Sequence, residues 1–445
     1  MTTLPLAPVR TLSLRARAGR RGLWAVGWLA ASVCAAALAL LAAPPPHRVW
    51  GQSAAVGYLG AALFACALPR PQARTLSVAS ALTGAVVIPF LSLTLTGQAQ
   101  SEVRVVERSA ALLVGTGSPY LATPETVTDY NPYLPGMALF GLPRELFGDG
   151  SALTRLLGDA RLWCALALVA CLVAGYVAVR RGGQGRPKAP LTQGGSTPWV
   201  ALTVLVSSPL VALPLAVSGV DLPLAGLCCL GIALATRGRA GGAALALAAA
   251  CALKWTALPA VAVVGALLVH RADGRVLARY VAVWLAGTTA LVLPFAVLAP
   301  GPLVDQVFAF PTGRAAVATP ADSPLPGRLL ADLGPTGWYT AVALLVCGGV
   351  AVALSLVLRP PADVRAAADR LALGLCVAFS FAPAARFGYF ALPLVLVVWA
   401  RIAAGPPGTA LPLGSATAAG LRPHAVPGAG VIRASRLPVA LKERL

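Results

Sequence analysis

The feature that most limits the fold is the recurrence of apolar runs about as long as a lipid bilayer is thick, separated by short clusters of arginine. Residues 23–43, 76–96, 159–179, 276–298 and 338–358 each approach the roughly 20 residues a helix needs to cross about 30 Å of hydrocarbon. Shorter apolar runs (54–68, 199–217, 222–235, 371–382 and 389–400) lie between them. The chain is 58% hydrophobic and 11% charged, too few polar groups to cover a surface in water. Its mean hydropathy of +0.79 says the same. The sequence therefore predicts an all-α, polytopic membrane protein with about 10–12 membrane helices and no soluble domain of ordinary size.

A formal charge of +20 would suggest nucleic acid in a soluble protein. Here the basic residues bunch between apolar runs, which is the positive-inside pattern, and nucleic-acid binding is set aside. All nine cysteines lie inside apolar segments, and His47, His270 and His424 stand far apart in the chain. No spacing of metal ligands is present, and no metal or cofactor is expected from the residues.

The charge rule orders the spans. Residues 1–22 carry Arg10, Arg15, Arg17, Arg20 and Arg21 and form a cytoplasmic N-terminus before a retained first span. Successive crossings leave residues 97–158 outside as a large first extracytoplasmic loop. Residues 180–198 form a flexible cytoplasmic linker, and residues 299–337 a second outer loop. The run 240–269 has basic residues at both ends and is broken by Lys254 and Pro259, so it reads as a hairpin that starts and ends on the cytoplasmic side, or as one kinked span. Residues 23–400 make one transmembrane domain. Residues 401–445, rich in Pro, Gly and Arg, form a cytoplasmic and disordered tail, so that a multi-pass plasma-membrane protein with both termini inside is expected.

The first outer loop holds most of the carboxylates and aromatic residues that lie outside the apolar runs. A helix over 102–114, capped by Ser101 and Gly115, would carry Val103, Val106, Ala110 and Leu113 on one stripe and Arg104, Glu107 and Arg108 off it. Such a helix lies in the membrane interface. Two short motifs follow: Gly117, Ser118, Pro119, Tyr120, and then Asp129, Tyr130, Asn131, Pro132, Tyr133, Leu134.

These motifs, in this order within this topology, resemble the first outer loop of integral-membrane glycosyltransferases of the GT-C fold. The resemblance is to the polyprenyl-phosphate-mannose-dependent α-mannosyltransferases, glycosyltransferase family 87. It extends to Leu253, Lys254, Trp255 and Pro259 and to the stretch from Phe381 through Arg386 to Tyr389. It implies a hexosyltransferase that takes mannose from a polyprenyl-phosphate sugar, with inversion, and passes it to a lipid or glycan acceptor within the cell envelope. Membrane lipids, the lipid-linked donor and that acceptor are the implied partners. Glu102 falls where the family carries an Asp taken as the catalytic base; Glu107 and Asp129 are the alternatives. A transporter or flippase is the rival class, opposed by the lack of a half-chain repeat and the scarcity of ionisable residues in the spans. A catalytically inactive member of the same fold is a second rival.

The chemistry sets its own demands. A carboxylate must take the acceptor's proton, and cations must hold a phosphate on which charge accumulates. The cation candidates are Arg386, Arg104, Arg108 and Lys254, the last being the one lysine inside an apolar run. Tyr120, Tyr130, Asn131, Tyr133 and Trp338 are candidates for contact with sugar or for interfacial anchoring. Asp221, Asp305, Asp322 and Asp332 also lie outside, where they could bind an acceptor; nothing ranks them, and they read as solvated loop charges.

Overall fold

The computed structural model describes residues 9–181, 198–271 and 273–405. Residues 1–8, most of the linker expected at 180–198 and the tail beyond residue 405 lie outside the described residues. Within them there is no strand, only an isolated bridge between Asp322 and Ala385. The first four helices are α1 (Val9–Leu41), α2 (Pro45–Ala67), α3 (Arg70–Leu82) and α4 (Ile88–Leu95), and α5 (Ser101–Thr116) lies in the first loop. Then come α6 (Leu142–Phe147), α7 (Ala152–Gly158), α8 (Ala160–Arg181), α9 (Pro198–Ser207), α10 (Pro209–Val217), α11 (Leu222–Thr236), α12 (Ala240–Leu253) and α13 (Leu258–Arg271). The chain continues through α14 (Gly274–Leu298), α15 (Pro300–Leu303), α16 (Pro326–Ala331), α17 (Pro335–Leu358), α18 (Val364–Phe381) and α19 (Ala391–Ala404). Seven helices are long and apolar enough to cross a membrane, and α9 with α10 makes an eighth if that pair, bent by 54°, is one span. The protein is an all-α, multi-pass membrane protein.

Lipid offers no water to backbone groups, so each break in a helix needs a partner inside the protein. At Thr83–Val87 the chain winds one π turn between α3 and α4, and the indole of Trp50 donates to the Ala85 carbonyl within it at 2.8 Å. Between α9 and α10, Pro209 follows the break, and the hydroxyl of Tyr58 donates to the carbonyl of Ser207, the last residue of α9, at 2.6 Å. Helices α2 and α3 meet through small residues. Ser77 and Ser80 donate across to the carbonyls of Ala61 and Gly57, each at 2.8 Å. A methyl group at Gly84 would stand 2.5 Å from the Gly57 Cα. Close approach of backbones is how helices gain contact in a solvent as apolar as their side chains.

The start of α8 is pinned by Arg161, which is 1% exposed. Its guanidinium holds both oxygens of Asp159, at 2.9 and 2.7 Å, and donates to the carbonyls of Gln98 and Ala216 and to the Thr94 hydroxyl. One saturated cation thus ties α4, α8 and α10 together. A lone buried charge would cost several kcal/mol; this one has no donor left without a partner.

The run 240–269 breaks at Lys254, whose backbone is extended, with a short 3₁₀ turn at Trp255–Ala257 before α13. Lys254 lies beside Asp221 and Tyr133, and so on the face that carries the first loop. Helix α14 then runs back toward that face, since beyond its end Gln306 accepts from the Asn131 amide of the first loop. Helices α12 and α13, of 14 residues each, therefore rise ~21 Å from the opposite face and return, the hairpin expected from the flanking charges. None of the apolar window of α14 and 11% of that of α17 is buried by protein; these helices present their sides to lipid.

The Gly57–Gly84 contact sets a test. Gly84→Val should lower the thermal midpoint of the detergent-solubilised protein by the equivalent of about 2 kcal/mol or more, because the added atoms meet backbone that cannot yield. Gly115→Ala, where a methyl meets nothing within 4 Å, should leave it unchanged or raise it by up to ~1 kcal/mol. Equal midpoints for wild type and Gly84→Val would refute the packing.

Candidate active site

Helix α5 extends further than the periodicity predicts. It begins at Ser101 after Gln100, whose amide bonds the Val217 carbonyl at 2.9 Å, and ends at Gly117, whose φ of 78° closes the last turn on the Leu113 carbonyl. The capping residues are thus Gln100 and Gly117, not Ser101 and Gly115, since Gly117 is the glycine that turns left-handed. The inward stripe is Val103, Val105, Val106, Ser109 and Ala110, so the helix is anchored apolar side down and Arg104 stands exposed. Glu102 sits in its first turn, where the helix dipole favours a carboxylate.

The three candidate carboxylates part company in space. Glu107 accepts from Arg144 and from the Ala160 amide, each at 3.3 Å; burial raises its pKa and Arg144 works against that rise. Asp129 closes a turn, accepting from the Thr126 hydroxyl and amide, which hold it below the ordinary carboxylate range, with Arg108 at 3.5 Å. Glu102 faces a cleft of about 500 Å³, where it forms an ion pair with Arg386, brought in from 284 residues away, while Glu107 lines a neighbouring hollow with Arg104 and Arg144. Burial works against the Arg386 charge, but the Glu102 carboxylate together with the phenols of Tyr389 and Tyr133 more than offsets it, so its pKa is raised. The cleft is walled by Pro46 and His47 at the start of α2, by Pro320, Asp322 and Ser323 of the second loop, and by Phe387.

A second ion pair adjoins the first. Lys254 Nζ donates to Asp221 at 2.9 Å and lies 4.8 Å from the ring centre of Tyr389 and 5.6 Å from that of Tyr133. Tyr133 joins the two pairs: burial pushes its phenol well above the ordinary value, and the charges of Glu102 and Asp221 add to the rise. Four charges and two phenols thus form one polar centre on the loop face.

The remaining candidates hold the loop together. The Tyr120 hydroxyl donates to the Tyr133 carbonyl at 3.0 Å, Asn131 bridges the Pro119 carbonyl and the Tyr133 amide, and Gln306 reaches in to the Asn131 amide and the Leu121 carbonyl. Tyr130 stacks on Phe310 with ring centres 4.4 Å apart. Trp338 lies elsewhere, under the guanidinium of Arg314 at 4.0 Å. Arg104 lines a neighbouring hollow with Arg144, Arg155 and Arg161 and does not face Glu102's cleft. Among the described residues no cluster of three or more His, Cys, Asp or Glu side chains could hold a metal ion.

Sequence reasoning gave His47 no role at the site, left Asp221 and Asp322 unranked among the outer aspartates, and noted Tyr389 only as a neighbour of Arg386. Asp221 had a signal, being a lone carboxylate in a three-residue turn between apolar runs, the same kind of placement that singled out Lys254. His47 had only its position after three prolines.

The Lys254–Asp221 contact can be measured by a double-mutant cycle. Lys254→Met and Asp221→Asn should each lower stability by about 1–3 kcal/mol, because each leaves a half-buried partner unpaired, and the double variant should lose less than the sum. Strict additivity would show the two side chains to be independent.

The chain is similar to one solved structure, that of ArnT from Cupriavidus metallidurans bound to undecaprenyl phosphate, with 21% identity and a TM-score of 0.45 over 73% of this chain and 59% of that one. It thus spans less than two thirds of that protein's length. No curated protein matches it. A family model matches residues 131–383, from Asn131 of the first loop through Asp221 and Lys254 to the turn just before Arg386. That match takes in more than half of the sequence and one of the two ion pairs of the polar centre, and it makes the chain a member of glycosyltransferase family 87.

Proposed function

We propose that the protein is a membrane glycosyltransferase that moves a hexose, mannose in the first instance, from a polyprenyl-phosphate carrier to a hydroxyl of a lipid or glycan acceptor. The loop face is then the outer face of the plasma membrane, with both termini cytoplasmic. The observation that carries this reading is the Glu102–Arg386 pair, a carboxylate and a guanidinium in one cleft where spans α2 and α19 begin. A lipid phosphate sits at that depth by necessity, since its tail lies in the hydrocarbon.

In this reading Arg386 takes the donor phosphate, because guanidinium can hold two of its oxygens at once. A phosphate on Arg386 draws that cation away from Glu102 and leaves the carboxylate free to accept a proton. Glu102 then removes the proton from the acceptor hydroxyl as the acceptor oxygen attacks the anomeric carbon. The bond from that carbon to the phosphate oxygen breaks on the opposite face, which inverts the configuration, and the polyprenyl phosphate departs with the electron pair. Lys254, held by Asp221 and the rings of Tyr133 and Tyr389, adds positive potential where that charge builds. No cofactor beyond the lipid-linked sugar is invoked.

The test is transfer of labelled mannose from polyprenyl-phosphate mannose to membrane acceptors by the purified full chain. Glu102→Gln keeps the shape and removes the base, and should cut the rate by about 10²–10⁴-fold with little change in donor affinity. Arg386→Lys should raise the donor KM by about tenfold through loss of the bidentate grip. Wild type no faster than Glu102→Gln would sink the reading, and movement of the lipid sugar across proteoliposomes without transfer would favour a carrier.

A further inference from the structure

Asp322 and Phe387 share the cleft with the reactive pair, and the mechanism above uses neither. They belong to the part of its wall built by the second loop and the turn before α19. The backbone at Asp322 pairs with Ala385, Ser323 donates its amide to the Ala385 carbonyl at 3.1 Å, and the Phe387 amide donates to the Ser323 hydroxyl at 3.2 Å. Arg386 itself donates from Nε to the Pro320 carbonyl at 3.3 Å. The second loop is therefore fastened to the segment that carries Arg386, and the wall keeps a set position relative to it. Asp322 is exposed, and among the described residues its carboxylate has no hydrogen-bond or ion-pair partner, so its lone pairs are open to the cleft. The Phe387 ring is 59% exposed at the rim of the cleft.

We infer that Asp322 and Phe387 form the acceptor subsite and that the acceptor group they take is a carbohydrate, an inference that rests on the function proposed above. A pyranose offers two surfaces, a ring of hydroxyl donors and a face of C–H groups. An ionised carboxylate with free lone pairs accepts from neighbouring hydroxyls, and the electron-rich face of an aromatic ring receives the C–H face. An anionic headgroup fits the wall badly. Asp322 would repel it, and Arg386, the cation that could offset that repulsion, is engaged by Glu102 at rest and by phosphate in the loaded state. A purely apolar acceptor would leave the carboxylate desolvated with nothing to bond. Both residues line the same cleft as Glu102, so a sugar bound there can turn one hydroxyl toward the base.

The experiment pairs binding with transfer, using the full chain in detergent. Saturation-transfer NMR with methyl α-mannoside and methyl α-glucoside should report contact with wild type and a loss of about tenfold in affinity for Asp322→Asn and for Phe387→Ala, with Phe387→Trp restoring it. In the transfer assay, Asp322→Asn should raise the KM for the same glycosides about tenfold while the donor KM stays within twofold, a split that loss of folding would not give. Transfer to a lipid acceptor without any glycoside contact, or a glycoside KM that ignores both substitutions, overturns the inference and leaves the glycosyltransferase reading standing. Glycoside contact that depends on Asp322 but with no transfer keeps the subsite and overturns the reading. Neither contact nor transfer overturns both.

Discussion

The structure depends on bringing one carboxylate and one guanidinium together across almost the whole length of the chain. Glu102 stands at the start of α5 and Arg386 in the turn before α19, 284 residues apart, and their ion pair marks where the first loop, the second loop and the last turn converge. Each partner is held by something else. Glu102 rides on a helix glued to the membrane side by five buried residues, and Arg386 is strapped to Pro320 through the second loop. In that pair each charge satisfies the other.

Around this centre the protein treats polar groups as a membrane requires. Arg161 is buried with all its donors filled, Trp50 and Tyr58 complete carbonyls released where helices break, and Ser77 and Ser80 bond across α2 and α3. A released carbonyl in hydrocarbon costs several kcal/mol, which exceeds what apolar packing between helices returns at a single site. At these breaks the irregular backbone meets a polar side chain. Lys254 shows the same logic at a hairpin tip, where the extended residue that ends α12 also meets Asp221.

Much of the architecture was legible in the sequence. The apolar runs located the spans, and basic residues at both ends of 240–269 pointed to a hairpin, because lipid length and charge asymmetry act locally along the chain. The amphipathic helix was legible too, but its ends were displaced: Gly115 and Gly117 both qualify as caps by composition, and only backbone direction decides which turns left-handed. The site was legible in part. Arg386 and Lys254 stood out as costly charges near spans, whereas Asp221 and Asp322 looked like any exposed aspartate, since nothing local distinguishes a solvated carboxylate from one facing a cleft or a lysine.

Sequence alone determined the solvent, the all-α multi-pass class and the family resemblance, for these follow from residue type and order; seven or eight helices are long enough to cross by themselves, and shorter apolar helices make up the rest of the expected 10–12. Tertiary structure set the surroundings of Glu102, Glu107 and Asp129 apart. All three are carboxylates in one loop, but Glu107 turns to Arg144, Asp129 closes its own turn with Thr126, and Glu102 meets Arg386. It also placed Tyr120 and Asn131 in hydrogen bonds that hold the loop, and showed Asp322 and Phe387 to share the cleft with the Glu102–Arg386 pair. Such pairings join residues tens to hundreds of positions apart, and the distance between side chains in space is set by helix packing, which no local pattern of the chain encodes.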